Sequence, residues 1–303
     1  MRASRDGGAC TGGGRLSPCP ADGKSVCPLR PPLPHMTIGE LLQTSGIDRA
    51  DAELLVAAAM KKSRTWVIAH ADDAVDAAEN RKIAASFLRR QSDEPVSYIT
   101  GEKEFFKRMF SVTPDVLIPR PSTELLAAVA LEMIDHPHDR VREAEEGIAV
   151  LAHVLKPDRH PFLIADIGTG SGCIAITLAL ERPDLQVIAT DVSVGALTVA
   201  RRNADLHAVA GRMRFLQGED LRPVQDVSEP FLLVSNPPYI SVGTPLMRDV
   251  AAFEPHAALF AGADGLAVLL RICRQARAHP QCVGVVLECQ QNQVTALLKE
   301  LKD

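Results

Sequence analysis

Four short stretches of the chain hold residues whose types and spacing could do chemistry. The first is Asp166-Ile167-Gly168-Thr169-Gly170-Ser171-Gly172, directly after an apolar run. Glycines let a backbone pass close to a ligand, and a helix opening after them offers its free amide donors. The spacing is G-x-G-x-G rather than the G-x-G-x-x-G of dinucleotide binders, so a pyrophosphate cradle is the weaker reading. The second is Asp191, which closes the next apolar run, where a carboxylate can accept two hydrogen bonds from a ribose diol. Loop and acid together favour a nucleoside-containing ligand. The third, Gly218-Glu219-Asp220-Leu221, offers a carboxylate to an adenine amino group through either Glu219 or Asp220. The fourth is Ser235-Asn236-Pro237-Pro238-Tyr239. Two prolines fix two φ angles and remove two backbone donors. The Asn236 side-chain oxygen and the Pro237 carbonyl therefore stand as acceptors on a stiff corner. Such a corner can receive an NH₂ group, with Tyr239 as a flat apolar wall.

All four stretches fall at the ends of candidate strands. Strands fit residues 162–166, 186–191, 213–217, 231–235 and 283–288, and helices fit 172–181, 195–207, 265–278 and 292–301. That alternation predicts an α/β fold with a parallel, doubly wound sheet, which binds ligands at the carboxyl ends of its strands. Upstream, residues 1–35 are rich in Gly, Pro and Arg and read as a disordered leader, with Met36 as the natural beginning. Residues 36–95 carry helical periodicity and read as a small helical domain. Thr37 and Glu40 have capping-box spacing, Leu54, Leu55, Ala58 and Ala59 mark one helix face, and Ile83, Phe87 and Leu88 mark another. Trp66 reads as a core anchor of this domain. Residues 96–121 read as a β-hairpin linker, with strands at 105–112 and 116–118 around Thr113-Pro114-Asp115. The main domain spans 122–303. Within it, residues 135–160 are charged and hold His136, His138, His153 and His160, and they read as an extended, solvated linker with a helix inside. No histidine pair there has helical ligand spacing, so no metal is expected.

The bulk numbers fit a soluble globular chain. Of 303 residues, 46% are hydrophobic and 23% charged, and no apolar run is long enough to span a bilayer. A formal charge of -5 gives no general electrostatic reason to bind nucleic acid. The seven cysteines form no C-x-x-C pair and read as reduced, buried thiols of a cytoplasmic protein.

The loop DIGTGSG, the acid in ATDVS and the corner SNPPY resemble the class I S-adenosylmethionine-dependent methyltransferases, and NPPY marks those that methylate planar nitrogen. Within that class the chain resembles the release-factor glutamine methyltransferases, the PrmC/HemK family. The likeness rests on Tyr98 to Leu126 (YITGEKEFFKRMFSVTPDVLIPRPSTELL), on Phe253 to Ile272 (FEPHAALFAGADGLAVLLRI) and on the helical opening from Met36. It covers about residues 36 to 298. The resemblance implies a Rossmann-like methyltransferase sheet behind an N-terminal helical substrate-recognition domain, with S-adenosylmethionine as cofactor. Gly168, Thr169, Gly170, Ser171, Gly172 and Asp191 would hold the cofactor, with Glu219 or Asp220 at adenine. Asn236 would lie between cofactor and substrate, and Pro237, Pro238 and Tyr239 would complete the grip. Arg120 and Glu124 would position the substrate, with Phe105 or Phe106 as an apolar wall. The implied substrate is the glutamine of the Gly-Gly-Gln motif in peptide chain release factors. The implied state is a cytoplasmic monomer without nucleic-acid or membrane partners.

The chain departs from the family at the leader, at Ser122 where a carboxylate is more usual, in the longer linker before Pro161, and after the helix that follows the fifth strand. The family's sheet gains two more strands there, one antiparallel. Without them strand 283–288 would be an exposed apolar edge, so the chain is expected to be truncated or to depend on a partner. Three rival readings follow: an adenine-amino methyltransferase acting on DNA or RNA, a binding protein of the same fold that has lost catalysis, and a methyltransferase of a ribosomal-protein glutamine.

Overall fold

The computed structural model describes residues 36–145 and 147–302, so the expected leader lies outside the described residues. The described chain turns helical at once because its first residues cap one another. Thr37 Oγ1 accepts from the Glu40 amide at 3.2 Å, and Glu40 Oε2 accepts from the Thr37 amide at 2.8 Å. This reciprocal cap opens α1 (Ile38–Thr44). Asp48 caps α2 (Arg49–Met60), Ser63 caps α3 (Arg64–Ala69) and Asp76 caps α4 (Ala77–Gln91), before the short α5 (Val96–Thr100). Ile38, Leu55, Val56, Val67 and Ile83 form the centre of this helical core, and Phe87 is buried beside them. The buried face of α2 is Ala52, Leu55 and Val56. Leu54 and Ala58 face solvent, as does Leu88 on α4. The face is displaced from the one that apolar residue type suggests because Glu53 is buried on it, held by Arg49 Nε at 2.7 Å and Arg64 Nε at 2.9 Å. Trp66 lies at the margin of the core and stacks on the His70 ring at 4.1 Å.

The hairpin that follows turns earlier than the sequence suggests. Its strands are β1 (Glu102–Phe105) and β2 (Arg108–Ser111), and residues 116–118 are not a strand. Phe106 and Lys107 form the two-residue turn, both with left-handed φ of 49° and 61°. Neither residue favours that conformation. Tertiary contacts impose it: Glu124 Oε1 accepts from the Phe106 amide at 2.8 Å, and Phe105 and Phe110 are buried edge to face at 6.1 Å.

The main sheet has seven strands, in the spatial order 140–145, 148–154, 282–290, 231–235, 163–167, 186–191 and 213–217. After α6 (Pro121–Asp135), residues 135–160 do not form a solvated linker with a helix; they form β3 (Arg140–Glu145) and β4 (Ile148–Val154). Ala149, Val150, Leu151 and Ala152 are completely buried, with alternate residues in the cores on opposite faces of the sheet. Such a continuous apolar run belongs to a strand covered on both faces. The parallel strands are β5 (Leu163–Ile167), β6 (Gln186–Asp191), β7 (Met213–Gln217), β8 (Phe231–Ser235) and β9 (Cys282–Gln290). β4 pairs antiparallel with β9 along its whole length, from Ile148 opposite Gln290 to Val154 opposite Gly284. The expected exposed edge at β9 is therefore an interior strand. The edge passes to β3, which is charged, exposed and tied to α6 through Arg140 and Arg142 on Glu132.

The helices α6, α7 (Cys173–Glu181) and α8 (Val194–Leu206) pack on one face of the sheet. After the short α9 (Arg248–Phe253), α10 (Ala267–Ala278) and α11 (Val294–Lys302) pack on the other. No helix among the described residues is long and apolar enough to cross a membrane.

Candidate functional site

Parallel register brings the chemical residues together. Ile167 pairs with Thr190, Asp166 with Val234 and Ser235 with Leu287, so the loops after β5, β6 and β8 leave the sheet side by side. They border a cavity of about 510 Å³, a size suited to one small ligand. Gly168, Gly170 and Gly172 all have positive φ. A Cβ at Gly168 or Gly170 would meet nothing within 4 Å, whereas at Gly172 it would strike Ile176 Cδ1 at 2.9 Å. The first two glycines thus leave room beside the cavity, and the third lets α7 pack closely. Thr190 carbonyl accepts from the Gly168 and Thr169 amides at 2.9 and 2.8 Å, which ties the loop to β6. Asp191 Oδ2 accepts from the Gly170 amide and Oδ1 from the Ser193 amide, each at 2.9 Å. Backbone donors thereby hold both oxygens of Asp191 at the cavity wall. This arrangement fits a ribose diol and the methionine end of S-adenosylmethionine.

At the third strand end Glu219 and Asp220 both line the cavity and share one cation from α10. Arg271 Nε meets Asp220 Oδ2 at 2.7 Å, and its Nη2 meets Glu219 Oε1 at 3.1 Å. Asp220 is buried with φ of 50°, and Glu219 is more exposed.

The corner after β8 is fixed from several sides. Ser235 Oγ donates to the Ile167 carbonyl at 2.6 Å, and Asn236 Nδ2 donates to Thr123 Oγ1 at 3.0 Å. That leaves Asn236 Oδ1 without a partner among the described residues. Asn236, Pro237 and Pro238 line the cavity, with Arg120 and Thr123 facing them. Tyr239 does not line it. Its hydroxyl donates to Glu288 Oε1 at 3.0 Å, and its carbonyl accepts from Gln293 Nε2 at 3.0 Å. Gly265 passes so close that a Cβ there would collide with that carbonyl. Tyr239 therefore braces the corner from behind rather than forming its wall.

Of the residues expected to position a substrate, Arg120 reaches the cavity and Glu124 and Phe105 do not. Arg120 Nη2 pairs with the buried Glu254 Oε1 at 2.5 Å, and Glu254 Oε2 accepts from the Ile118 amide at 3.3 Å. Glu124 is engaged at the Phe106 turn, and Phe105 is 1% exposed inside the core. Sequence reasoning missed Thr123, Glu254, Glu288 and Gln293. Their one signal is a polar side chain at an otherwise apolar or element-end position, which by type alone reads as solvent-facing.

Burial dominates the electrostatics. Cys173, at the start of α7, lines the cavity with its thiol pushed up to about 12 by burial, so it is neutral and inert. Cys273, Cys282 and Cys289 are likewise free and buried. Asp166 is completely buried, and burial pushes its acid up to about 7 against the hydrogen bond from Thr169 Oγ1 at 2.7 Å. Because the folded value lies above the ordinary 3.8 of an aspartate, the folded chain holds a proton that the unfolded chain releases across that window. Asp166 thus contributes stability below the lower value that is lost as pH rises through the upper one. The urea midpoint of the cofactor-free protein should fall on this account between about pH 4 and pH 7. Asp166→Asn should flatten the fall; equal slopes in both proteins would contradict it.

Residues 37–101 match the family model of the PrmC N-terminal domain, and residues 141–253 match that of the methyltransferase small domain. The chain is 41% identical over 247 residues to the release factor glutamine methyltransferase of Burkholderia pseudomallei, covering 80% of this chain and 79% of that protein. It is 39% identical over 236 residues to the protein of that name from Bordetella pertussis, covering 77% and 78%. For the one from Nitratidesulfovibrio vulgaris the identity is 37% over 246 residues, covering 78% and 76%. Similarity of this extent spans both the helical region and the sheet that carries the cavity. The chain belongs to the release factor glutamine methyltransferase family, whose members are S-adenosylmethionine-dependent protein-glutamine methyltransferases.

Proposed function

We propose that this chain methylates the side-chain amide nitrogen of the glutamine in the Gly-Gly-Gln motif of peptide chain release factors. The observation that carries the reading is the Asn236 amide. With Nδ2 held by Thr123, its Oδ1 remains as an acceptor beside the Pro237 carbonyl at the cavity. Gly168 to Gly172 and Asp191 hold S-adenosylmethionine, which when bound supplies an electrophilic methyl group. Glu219 and Asp220 bound its adenine end.

An amide nitrogen is a poor nucleophile because its lone pair is delocalised into the carbonyl. Asn236 Oδ1 and Pro237 O accept its two hydrogens, fix its plane and favour the positive charge that grows on nitrogen. Positioning of this kind can contribute on the order of 7 kcal/mol or more to lowering the barrier. No base is needed before attack, because the methylated nitrogen is acidic and releases its proton afterwards. Arg120, locked by Glu254, presents its remaining donors to the substrate backbone. The helical region 36–95 docks the release factor, and the enzyme works as a monomer in the cytoplasm, where its substrate is.

Labelled methyl transfer tests the assignment. A release factor should take label, its Gly-Gly-Ala variant should not, and an adenine-containing duplex or RNA should not. Label in the variant at the same level overturns the glutamine assignment, and label in nucleic acid alone favours the adenine reading.

A further inference from the structure

Glu288 is completely buried at the carboxyl end of β9, the one glutamate among the described residues buried in the sheet. Register places it beside Asn236, since Ser235 pairs with Leu287. Its Oε1 accepts from the Tyr239 hydroxyl at 3.0 Å. Its Oε2 is buried with no hydrogen-bond partner among the described residues, and the hydroxyl-bearing Thr123 and Ser122 of α6 lie near the carboxyl group. Thr123 Oγ1 in turn accepts from Asn236 Nδ2 at 3.0 Å. A buried carboxyl group flanked by hydroxyls on two sides needs a reason, because taking it out of water is costly.

We propose that Glu288 is a positioning residue: its carboxylate, held by the Tyr239 hydroxyl and offering its free oxygen to the Thr123 hydroxyl, fixes which end of the Asn236 amide faces the substrate. The inference rests on the glutamine-amide reading above only for its effect on turnover. The logic is donor direction. A carboxylate can only accept. When it is ionised, the Thr123 proton points to Glu288, so the Thr123 oxygen must accept from Asn236, whose Nδ2 turns inward. Asn236 Oδ1 then faces the cavity. A proton on Glu288 removes this constraint. The carboxyl can then donate to Thr123, the Thr123 proton turns to Asn236 Oδ1, and the amide turns its NH₂ to the cavity. Two NH₂ groups then meet, and the substrate is repelled. Breaking one buried acceptor thus reverses a chain of donors rather than loosening it.

The surroundings of Glu288 set the direction of its pH response. Burial raises its acid, with the hydroxyls of Thr123, Tyr239 and Ser122 opposing and the charge of Glu145 on β3 reinforcing. Cys173 on α7 and Cys289 on β9 are its thiol neighbours, both neutral with values pushed up to about 12. Its partner on β4 is Val150, which carries no charge. Arg120 acts on Tyr239 beyond it. A raised acid is protonated first as pH falls, so turnover is lost on the acid side.

The test is Glu288→Gln with two readouts. A glutamine has nearly the same shape, but its NH₂ must donate to one of the hydroxyls. At saturating cofactor and release factor, kcat should fall roughly ten- to hundred-fold, with cofactor affinity unchanged and the unfolding midpoint not lowered. The acid limb of the wild-type pH profile should disappear from the residual activity. Wild-type turnover and profile in Glu288→Gln overturn the proposal. The second readout needs no substrate: the Asn236 side-chain NH₂ resonances of the wild-type protein, identified by their loss in Asn236→Ser. They should shift with pH on the acid side, and they should differ at neutral pH between wild type and Glu288→Gln. Resonances insensitive to both overturn the proposal whatever the substrate proves to be, whereas a wild-type protein that methylates no release factor overturns only the functional reading.

Discussion

Asn236→Ala should bind S-adenosylmethionine with at most a modest loss of affinity and lose turnover by about 10²-fold or more, the scale for removing one group aimed at transition-state charge. On the proposed reading the cofactor is held by other residues. Gly170 and Ser193 amides fix Asp191, and the Thr190 carbonyl fixes the loop, none of them through Asn236. The proposed substrate amide, in contrast, would meet two acceptors at the corner, and the variant removes the one on a side chain. The Pro237 carbonyl alone can orient one hydrogen but not the plane of the group. The split is therefore expected in kcat rather than in cofactor binding, measured by single-turnover methyl transfer beside calorimetric titration with the cofactor. Turnover near wild type would sink the role of the corner. Lost cofactor binding would mean that Asn236 serves the cofactor first.

The second large effect is on stability. Leu151→Ala should lower the free energy of unfolding by about 2–5 kcal/mol, the range for truncating a leucine in a closed core. Leu151 is completely buried in β4 opposite Leu287 of β9. Val141→Ala, on the outer strand where Val141 is 41% exposed, should cost no more than about 0.5 kcal/mol. If residues 135–160 were a solvated linker, the two variants would behave alike in urea titration. A large difference places the β3–β4 hairpin in the sheet and explains how β9 avoids standing as an apolar edge.

Much of this architecture is legible in the sequence. The strands at 186–191, 213–217 and 231–235 coincide with β6, β7 and β8; for β6 and β8 the reason is that a strand covered on both faces reads as an apolar run between turn residues. The glycine loop, Asp191 and Asn236 meet at one cavity because parallel strands deliver their carboxyl ends to one edge of the sheet. The hairpin at 140–154 is not legible in the same way. Its outer strand is mostly charged, and that charge hides the apolar run of Ile148 to Val154 beside it. Nor does the Phe106-Lys107 turn show itself, since no glycine or asparagine marks it and a carboxylate from α6 makes it. Tyr239 reads as a wall by its type, but its hydroxyl finds Glu288, and that partner lies on a strand no local pattern could connect to it. Sequence period reports which face is buried; it does not report which buried polar group answers another across the sheet.

The most direct test of the central claim is to incubate the protein with S-adenosylmethionine and a recombinant release factor, then map the modification by peptide mass spectrometry. A single added methyl group is expected on the side-chain amide of the Gly-Gly-Gln glutamine, absent when Asn236→Ala replaces the wild-type enzyme. A methyl group on any other residue, or an equal yield with Asn236→Ala, would contradict the claim.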